Sequence, residues 1–89
     1  MLRVKISRDA AKTLERLPPK HARQVAGRIN ALRADPEASD TRQLHGYPLR
    51  RADVGEYRVV YIVVGEILHI EVVGKRNDND VYRRLKRRL

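Results

Sequence analysis

A long apolar hairpin in the middle of the chain constrains the fold more than any other segment. Residues 57–64 read Tyr-Arg-Val-Val-Tyr-Ile-Val-Val, a β-branched and aromatic run that is typical of a central strand covered on both faces. Gly65-Glu66 then fits a two-residue hairpin turn, because glycine adopts positive φ without strain. Residues 67–73 supply the antiparallel partner, and Gly74 is predicted to end it. A chain built around this hairpin should contain a mainly antiparallel sheet.

The segment before the hairpin predicts a strand followed by two helices. Residues 2–6 alternate apolar and basic side chains, which is the period of a half-buried strand. Apolar residues then recur at helical spacing on both sides of Pro18-Pro19, so two helices joined by a tight turn are expected. Asp35-Pro36 should end the second helix, because a residue before proline disfavours the helical conformation. Residues 35–48 read as a loop and residues 49–52 as a short edge strand.

The segment after the hairpin predicts one more helix. Asn77, Asp78 and Asn79 are all good N-cap residues, and Val81, Leu85 and Leu89 form a narrow apolar stripe behind them. The predicted fold class is therefore α+β, with residues 1–89 forming one small domain. An N-terminal strand and a helical hairpin should pack on a mainly antiparallel sheet of about four strands, and a C-terminal helix should follow.

Charge and composition limit the classes of function. The 89 residues include 20 Lys and Arg against 11 Asp and Glu, a formal net charge of +9, which attracts polyanions such as nucleic acid or an acidic protein. Cysteine is absent, which excludes disulfides, thiolate metal sites and cysteine nucleophiles. No apolar run approaches the roughly 20 residues of a membrane span, and residues 1–10 do not resemble a signal peptide. A cytoplasmic protein that does not contact membrane is the expectation.

The sequence contains no motif typical of a metal site, of a phosphate-binding loop or of a catalytic serine. The three histidines, His21, His45 and His69, lack metal-ligand spacing, and neither a glycine-rich phosphate loop nor a nucleophile elbow occurs. We expect neither a metal nor a cofactor.

The remaining candidates are basic and aromatic residues around the hairpin. Arg58 is the most informative, because an unpaired guanidinium inside a Val-rich strand is costly to bury. It forms either a structural ion pair with Glu56 or Glu71, or the floor of an anion-binding cleft. The other candidates are Arg50-Arg51 before the strand, Lys75-Arg76 after the hairpin, and Tyr82 with Arg83 and Arg84 in the last helix.

These residues, in their order and spacing, resemble the RelE family of the RelE/ParE toxin–antitoxin superfamily. The resemblance rests on Leu44-x-Gly46, on Tyr57-Arg58-Val59-Val60-Tyr61, and on Gly74-Lys75-Arg76 with Tyr82 six residues after Arg76. It covers nearly the whole chain as one RelE-like toxin domain.

The resemblance implies an mRNA interferase, a metal-independent endoribonuclease that inhibits translation. Such toxins cut mRNA in the ribosomal A site by attack of a ribose 2′-OH on the adjacent phosphate. Carried over by position, Arg51 matches the basic residue proposed as general base, Arg58 the phosphate-stabilising arginine, Arg76 the arginine that aids the leaving group, and Tyr82 the base-stacking tyrosine. Arg50, Lys75, Arg83 and Arg84 would contact RNA.

Two residues depart from the family pattern. The family often has lysine where this chain has Arg51, and a second lysine at the position of Leu49. Arginine is a poor general base because it stays protonated. Either Arg51 acts only through its charge, or Arg50 or Lys75 shares the task, or catalysis is weaker in this chain, so the identity of the base stays open.

The resemblance also implies partners, and two alternative functions stay open. The partners are the ribosome with its mRNA and an acidic, RelB-like antitoxin that covers the basic cleft, with operator DNA bound only through the toxin–antitoxin complex. A ParE-like inhibitor of DNA gyrase would share the fold without needing Arg51, Arg58, Arg76 and Tyr82. A non-catalytic basic module that binds RNA or ribosomes would fit the charge alone.

Overall fold

Three helices and five strands form an α+β fold within residues 1–77 and 79–88, the part of the chain that the computed structural model describes. This confirms the predicted class. The elements in chain order are β1 (Arg3–Ile6), α1 (Arg8–Arg16), α2 (Pro19–Ala34), β2 (Arg42–Gln43), β3 (Arg50–Val54), β4 (Tyr57–Val64), β5 (Ile67–Lys75) and α3 (Asp80–Arg88). The expected roles of Asp78 as a cap and of Leu89 in the last apolar stripe lie outside the described residues.

The five strands form one sheet in the order β1-β5-β4-β3-β2. β4 is its central strand, as predicted, and every pairing is antiparallel except that of β1 with β5. Gly65 has a φ of 60°, so the hairpin turn uses the conformation that glycine allows without strain. Val63 and Val64 at this end of β4 are exposed, so coverage of the strand on both faces does not extend to its tip.

Three details of the sheet differ from the prediction. The two-residue strand β2 lies inside the segment read as a loop, because Arg42 and Gln43 pair with Arg51 and Arg50. β3 is therefore not at the edge of the sheet. β5 continues through Gly74 to Lys75, since Arg58 and Tyr57 of β4 still pair with these residues. A strand of two exposed residues carries no hydrophobic pattern that could reveal it.

The helical hairpin covers one face of the sheet. Ser7 caps α1 by accepting a hydrogen bond from the Ala10 N–H at 3.0 Å, and its hydroxyl donates to the Glu71 carbonyl at 2.6 Å. Pro19 opens α2, where its missing N–H costs nothing. The core under the hairpin is one cluster of buried residues, namely Ala10, Val25, Ile29, Leu32, Ala52, Tyr57, Val59, Tyr61, Leu68, Ile70 and Val73.

The last helix, α3, packs on the opposite face of the sheet. A second, smaller core joins it to the strands and to the loop before β3, and its buried members are Leu44, Leu49, Val60, Val72, Val81 and Leu85. Val81 contacts the sheet at Gly74, where an added methyl group would lie 2.7 Å from the Val81 Cγ2. The absence of a side chain at Gly74 therefore lets the start of α3 approach β5 closely.

Arg84 connects α3 to helix α1 and to the sheet through hydrogen bonds. Its guanidinium donates to Asp9 of α1 at 2.6 Å, to Asp80 at 2.8 Å and to the Val73 carbonyl at 2.7 Å. The side chain is only 15 % exposed, so these are largely desolvated charge-assisted hydrogen bonds, which are stronger than neutral ones. No helix in the described ranges combines the length and the apolar character needed to cross a membrane.

Candidate functional site

Arg58 stands at the centre of a charged group on the α3 face of the sheet. Its Nε donates to Asp53 Oδ1 at 2.8 Å and its Nη2 to Asp53 Oδ2 at 3.3 Å. Its Nη1 donates to the Tyr82 hydroxyl at 2.9 Å. The Arg58 side chain is 13 % exposed, so it is held in a fixed position by strand β3 on one side and helix α3 on the other.

Two further arginines face the same carboxylate. Nη1 of Arg51 lies 3.8 Å from Asp53 Oδ2, and Nη1 of Arg76 lies 4.0 Å from it. The three guanidinium groups therefore surround one carboxylate oxygen. We call Arg51, Asp53, Arg58, Arg76 and Tyr82 the arginine cluster. It brings together all four residues that were predicted to be catalytic.

The sheet explains why these residues converge. Side chains two apart on a strand share a face, which places Arg51 and Asp53 of β3 together, and Asp53 pairs directly with Arg58 of β4. The N–H of Arg76 donates to the Glu56 carbonyl at 3.0 Å, so the residue after β5 is tied to the turn before β4. Tyr82 is half-buried and packs against the second core.

The charges of the cluster stabilise one another. The hydrogen bond from Arg58 lowers the pKa of Asp53; burial opposes this effect, and the nearby charges of Arg58, Arg51 and Arg76 add to it. The same hydrogen bond from Asp53 is the main cause of a raised pKa for Arg58. Near neutral pH the cluster is therefore three cations around one anion. Its net positive charge and its aromatic ring suit a phosphate with an attached base.

Asp53 is the member that the sequence reasoning missed. Arg58 does form an ion pair, as one of its two interpretations expected, but with Asp53 in place of Glu56 or Glu71. A signal for the correct partner existed: with a turn at Gly55-Glu56, antiparallel pairing places residue 53 opposite residue 58. The interpretation as an anion-binding arginine stays a prediction.

The four predicted RNA-contacting residues lie outside the cluster. Arg50 donates to the Thr41 hydroxyl at 2.7 Å, and Arg84 is held by Asp9 and Asp80. Lys75 is exposed and lines a groove of about 540 Å³ between the helical hairpin and α3. Arg83 is exposed on α3. The structure leaves Lys75 and Arg83 accessible and engages the other two within the protein.

A small polar pocket adjoins the cluster. It measures about 180 Å³ and is lined by Asp40, Arg42, Arg51 and Asp53. Arg42 stands beside Arg51 through the pairing of β2 with β3, and it was missed because its segment was read as a loop. The Asp40 carboxylate accepts from Arg28 at 2.6 Å, so it is already engaged. The pocket therefore places one more arginine, Arg42, next to the cluster, in a lining of two arginines and two aspartates.

No metal-binding group was found among residues 1–77 and 79–88, since no three side chains of the metal-ligating types come together there. His21 instead shares a hydrogen bond of 2.9 Å between its Nδ1 and the Tyr57 hydroxyl, under the helical hairpin.

Comparisons with known proteins agree with this architecture. The family described as ParE toxin of type II toxin–antitoxin system, parDE, matches residues 4–80. The RelE chain of an archaeal RelE–RelB complex from Pyrococcus horikoshii OT3 is 32 % identical with a TM-score of 0.72, covering 84 % of this chain and 94 % of that one. A free mutant of E. coli RelE has a TM-score of 0.82 at 20 % identity, covering 99 % and 97 %.

A third similar structure comes from the ParE side of the superfamily. A chain of the chromosomal ParDE system from P. aeruginosa has a TM-score of 0.69 at 16 % identity, covering 84 % of this chain and 96 % of that one. No curated protein matches the chain by sequence. Taken together, the family match over residues 4–80 and the 32 % identical RelE show that this chain belongs to the RelE/ParE superfamily of toxins of type II toxin–antitoxin systems.

Proposed function

We propose that this toxin is a ribosome-dependent endoribonuclease that cuts mRNA in the A site and so inhibits translation. The observation that carries the proposal is the arginine cluster, in which Arg51 and Arg76 approach one carboxylate within 4.0 Å beside Arg58 and Tyr82. An inhibitor that only binds gyrase has no need for three cations fixed around a single point with an aromatic ring beside them.

The proposed reaction joins the ribose 2′-oxygen to phosphorus and releases the 5′-oxygen, leaving a 2′,3′-cyclic phosphate and a free 5′-OH. Negative charge grows on the phosphate in the transition state, and cations held in place beforehand stabilise it without reorganising. Arg58 suits this task because Asp53 and Tyr82 fix its guanidinium. Arg76, 46 % exposed, can stabilise the departing 5′-oxygen.

Tyr82 would hold the base next to the scissile bond. Stacking on an aromatic ring is tolerant of sequence, and alignment of the 2′-OH with phosphorus is the geometric requirement of the reaction. Its hydroxyl is bound by Arg58 at 2.9 Å, so the stacked base and the bound phosphate would be positioned relative to each other.

The proposed partners follow from charge and from the relatives. RelE chains of P. horikoshii and E. coli were solved in complexes with RelB, and a net charge of +9 suits a similar acidic antitoxin here. Operator DNA would be bound only through that complex. With the ribosome and its mRNA as partners, the toxin would act in the cytoplasm.

Gyrase inhibition is the second candidate function, favoured by the ParE family match over residues 4–80. It predicts DNA damage signalling with intact mRNA. A non-catalytic basic module would leave both mRNA and DNA intact. Induction of the protein in cells separates the three functions, and the endoribonuclease predicts a rapid loss of translation with cuts inside translated codons.

Two variants test whether toxicity depends on the arginine cluster. Arg76→Ala and Tyr82→Ala should each relieve toxicity while the protein stays folded, because Arg76 is 46 % exposed and Tyr82 packs only at the margin of the second core. The control is Arg3→Ala, because Arg3 is an exposed arginine on the edge strand β1. This variant loses the same positive charge as Arg76→Ala but outside the cluster, and it should remain toxic. Folded cluster variants that are as toxic as the parent would contradict the assignment of the site.

A further inference from the structure

The reaction proposed above needs a group that removes the proton of the 2′-OH, and the predicted catalytic residues do not supply one. Arginine remains protonated at any pH that the protein experiences, which excludes the arginines considered, namely Arg50, Arg51, Arg58 and Arg76. Lys75, the lysine considered for this role, pairs with Tyr57, whose ring lies in the core under the helical hairpin, so it is on the face of the sheet opposite Arg58. The Tyr82 hydroxyl already accepts a hydrogen bond from Arg58.

We infer that Asp53 is the general base, acting through its Oδ2 atom. This inference rests on the proposed nuclease function. Oδ2 is the oxygen that Arg51 and Arg76 approach at 3.8 Å and 4.0 Å, while Oδ1 carries the short hydrogen bond from Arg58 at 2.8 Å. The bond from Arg58 to Oδ2 is longer, at 3.3 Å, and Arg51 and Arg76 lie beyond hydrogen-bond distance of it, so Oδ2 accepts no short hydrogen bond from the cluster.

The position of Oδ2 suits a 2′-OH beside a bound phosphate. A phosphate held between Arg51 and Arg76 would lie directly next to Oδ2, and the attacking hydroxyl belongs to the ribose attached to that phosphate. A general base must come within hydrogen-bond reach of the proton it removes. The Asp53 side chain is 34 % exposed, so a substrate can reach it without opening the fold.

The step balances with Asp53 as the only proton acceptor. Oδ2 takes the proton of the 2′-OH while the 2′-oxygen forms its bond to phosphorus. The bond from phosphorus to the 5′-oxygen breaks, and that oxygen leaves beside Arg76 and takes a proton from water. Asp53 then returns its proton to the solvent. The Asp53 carboxylate repels the negatively charged phosphate, but the positive charges of the three surrounding arginines offset this repulsion.

Other carboxylates near the cluster suit the role less well. Asp40 lines the adjoining pocket, but a 2.6 Å hydrogen bond from Arg28 engages it. Glu37 lies 3.9 Å from Arg50, which is outside the cluster. Among the carboxylates in the described part of the chain, Asp53 alone pairs with Arg58 across the two strands, and backbone register therefore holds it beside the proposed phosphate-stabilising residue.

The test measures single-turnover cleavage of ribosome-bound mRNA by the parent, by Asp53→Asn and by Asp53→Glu between about pH 6 and pH 8.5. The parent rate should change little with pH, because the arginine neighbours keep the carboxylate ionised throughout. Asp53→Asn keeps the size of the side chain, and its rate should fall about 100-fold or more at neutral pH. Asp53→Glu restores a carboxylate and should recover part of the loss.

The pH slope separates a base from a residue that only positions Arg58. Without a base, hydroxide must remove the proton, so the residual rate of Asp53→Asn should rise about tenfold per pH unit. A loss by the same factor at every pH would overturn the inference, as would a rate equal to or above that of the parent. The matched control is Asp35→Asn, because Asp35 is an exposed carboxylate after α2. This variant should cleave like the parent. A parent protein that cleaves nothing would instead overturn the proposed function and, with it, this assignment.

Discussion

At the scale of single residues, Asp53 links the stability of the protein to pH. Its pKa in the folded protein is lowered from 3.8 by the hydrogen bond from Arg58. A lowered native pKa means that the ion pair stabilises the fold above the unfolded pKa and that this contribution is lost as the pH falls through the native pKa. Arg58 remains charged throughout this range.

The prediction compares urea unfolding of the parent and of Asp53→Asn. The parent should be more stable near neutral pH, and the difference between the two midpoints should shrink steadily below about pH 4. A difference that stays constant down to about pH 3 would show that the carboxylate charge contributes nothing to the fold.

Tyr82 offers a second residue-scale prediction, since the proposed function gives separate tasks to its ring and to its hydroxyl. Tyr82→Ala removes a stacking surface worth about 1–3 kcal/mol per base, so we expect A-site mRNA to be bound about 5- to 150-fold more weakly. Tyr82→Phe keeps the ring and loses only the hydrogen bond from Arg58, so most of the affinity should remain. Equal losses in both variants would mean that the ring does not stack.

At the scale of secondary-structure elements, the contact between β5 and α3 depends on Gly74. A methyl group there would lie 2.7 Å from Val81 Cγ2, so Gly74→Ala forces the start of α3 away from the strand. Overpacking of this kind costs about 1–3 kcal/mol. Gly27→Ala is the control, because its exposed position in α2 has no atom within 4 Å; it should stabilise the helix by about 0.5–1 kcal/mol. Chemical denaturation of both variants checks the prediction, and equal stabilities would contradict it.

Arg83 and Arg84 are neighbours on α3 with different surroundings. Arg84→Met leaves Asp9 and Asp80 without the guanidinium that bonds to both, so we expect a loss of about 1–3 kcal/mol in the free energy of unfolding. Arg83→Met changes an exposed side chain and should leave stability within about 0.5 kcal/mol. Thermal unfolding distinguishes them. A larger loss from Arg83→Met than from Arg84→Met would show that α3 docks differently.

The elements also show where sequence patterns suffice. β4, β5 and the Pro-Pro turn are predictable because each has a strong apolar period or a residue that restricts the backbone. β2 was not predictable, because Arg42 and Gln43 are exposed and are defined as a strand only by pairing with β3. The arginines of the cluster could be identified from the family resemblance, but Asp53 was overlooked because its role depends on cross-strand register.

At the scale of the whole molecule, the net charge of +9 divides into structural and accessible parts. Arg28, Arg58 and Arg84 are bound to carboxylates within the protein. Lys75 and Arg83 are exposed and can attract RNA or an acidic antitoxin, as can Arg76, a member of the cluster that is 46 % exposed. The fold thus uses some arginines to join its layers and directs three of them at a single point on the sheet.

The chemistry of the cut ends tests the central claim most directly. Purified protein would be mixed with bacterial ribosomes paused on a defined mRNA, and the fragments analysed for position and end groups. We predict cleavage inside the A-site codon, with a 2′,3′-cyclic phosphate on the upstream fragment and a 5′-OH on the downstream one. Arg76→Ala should abolish the cut and Arg3→Ala should not. Intact mRNA, or fragments that carry a 5′-phosphate, would contradict the account.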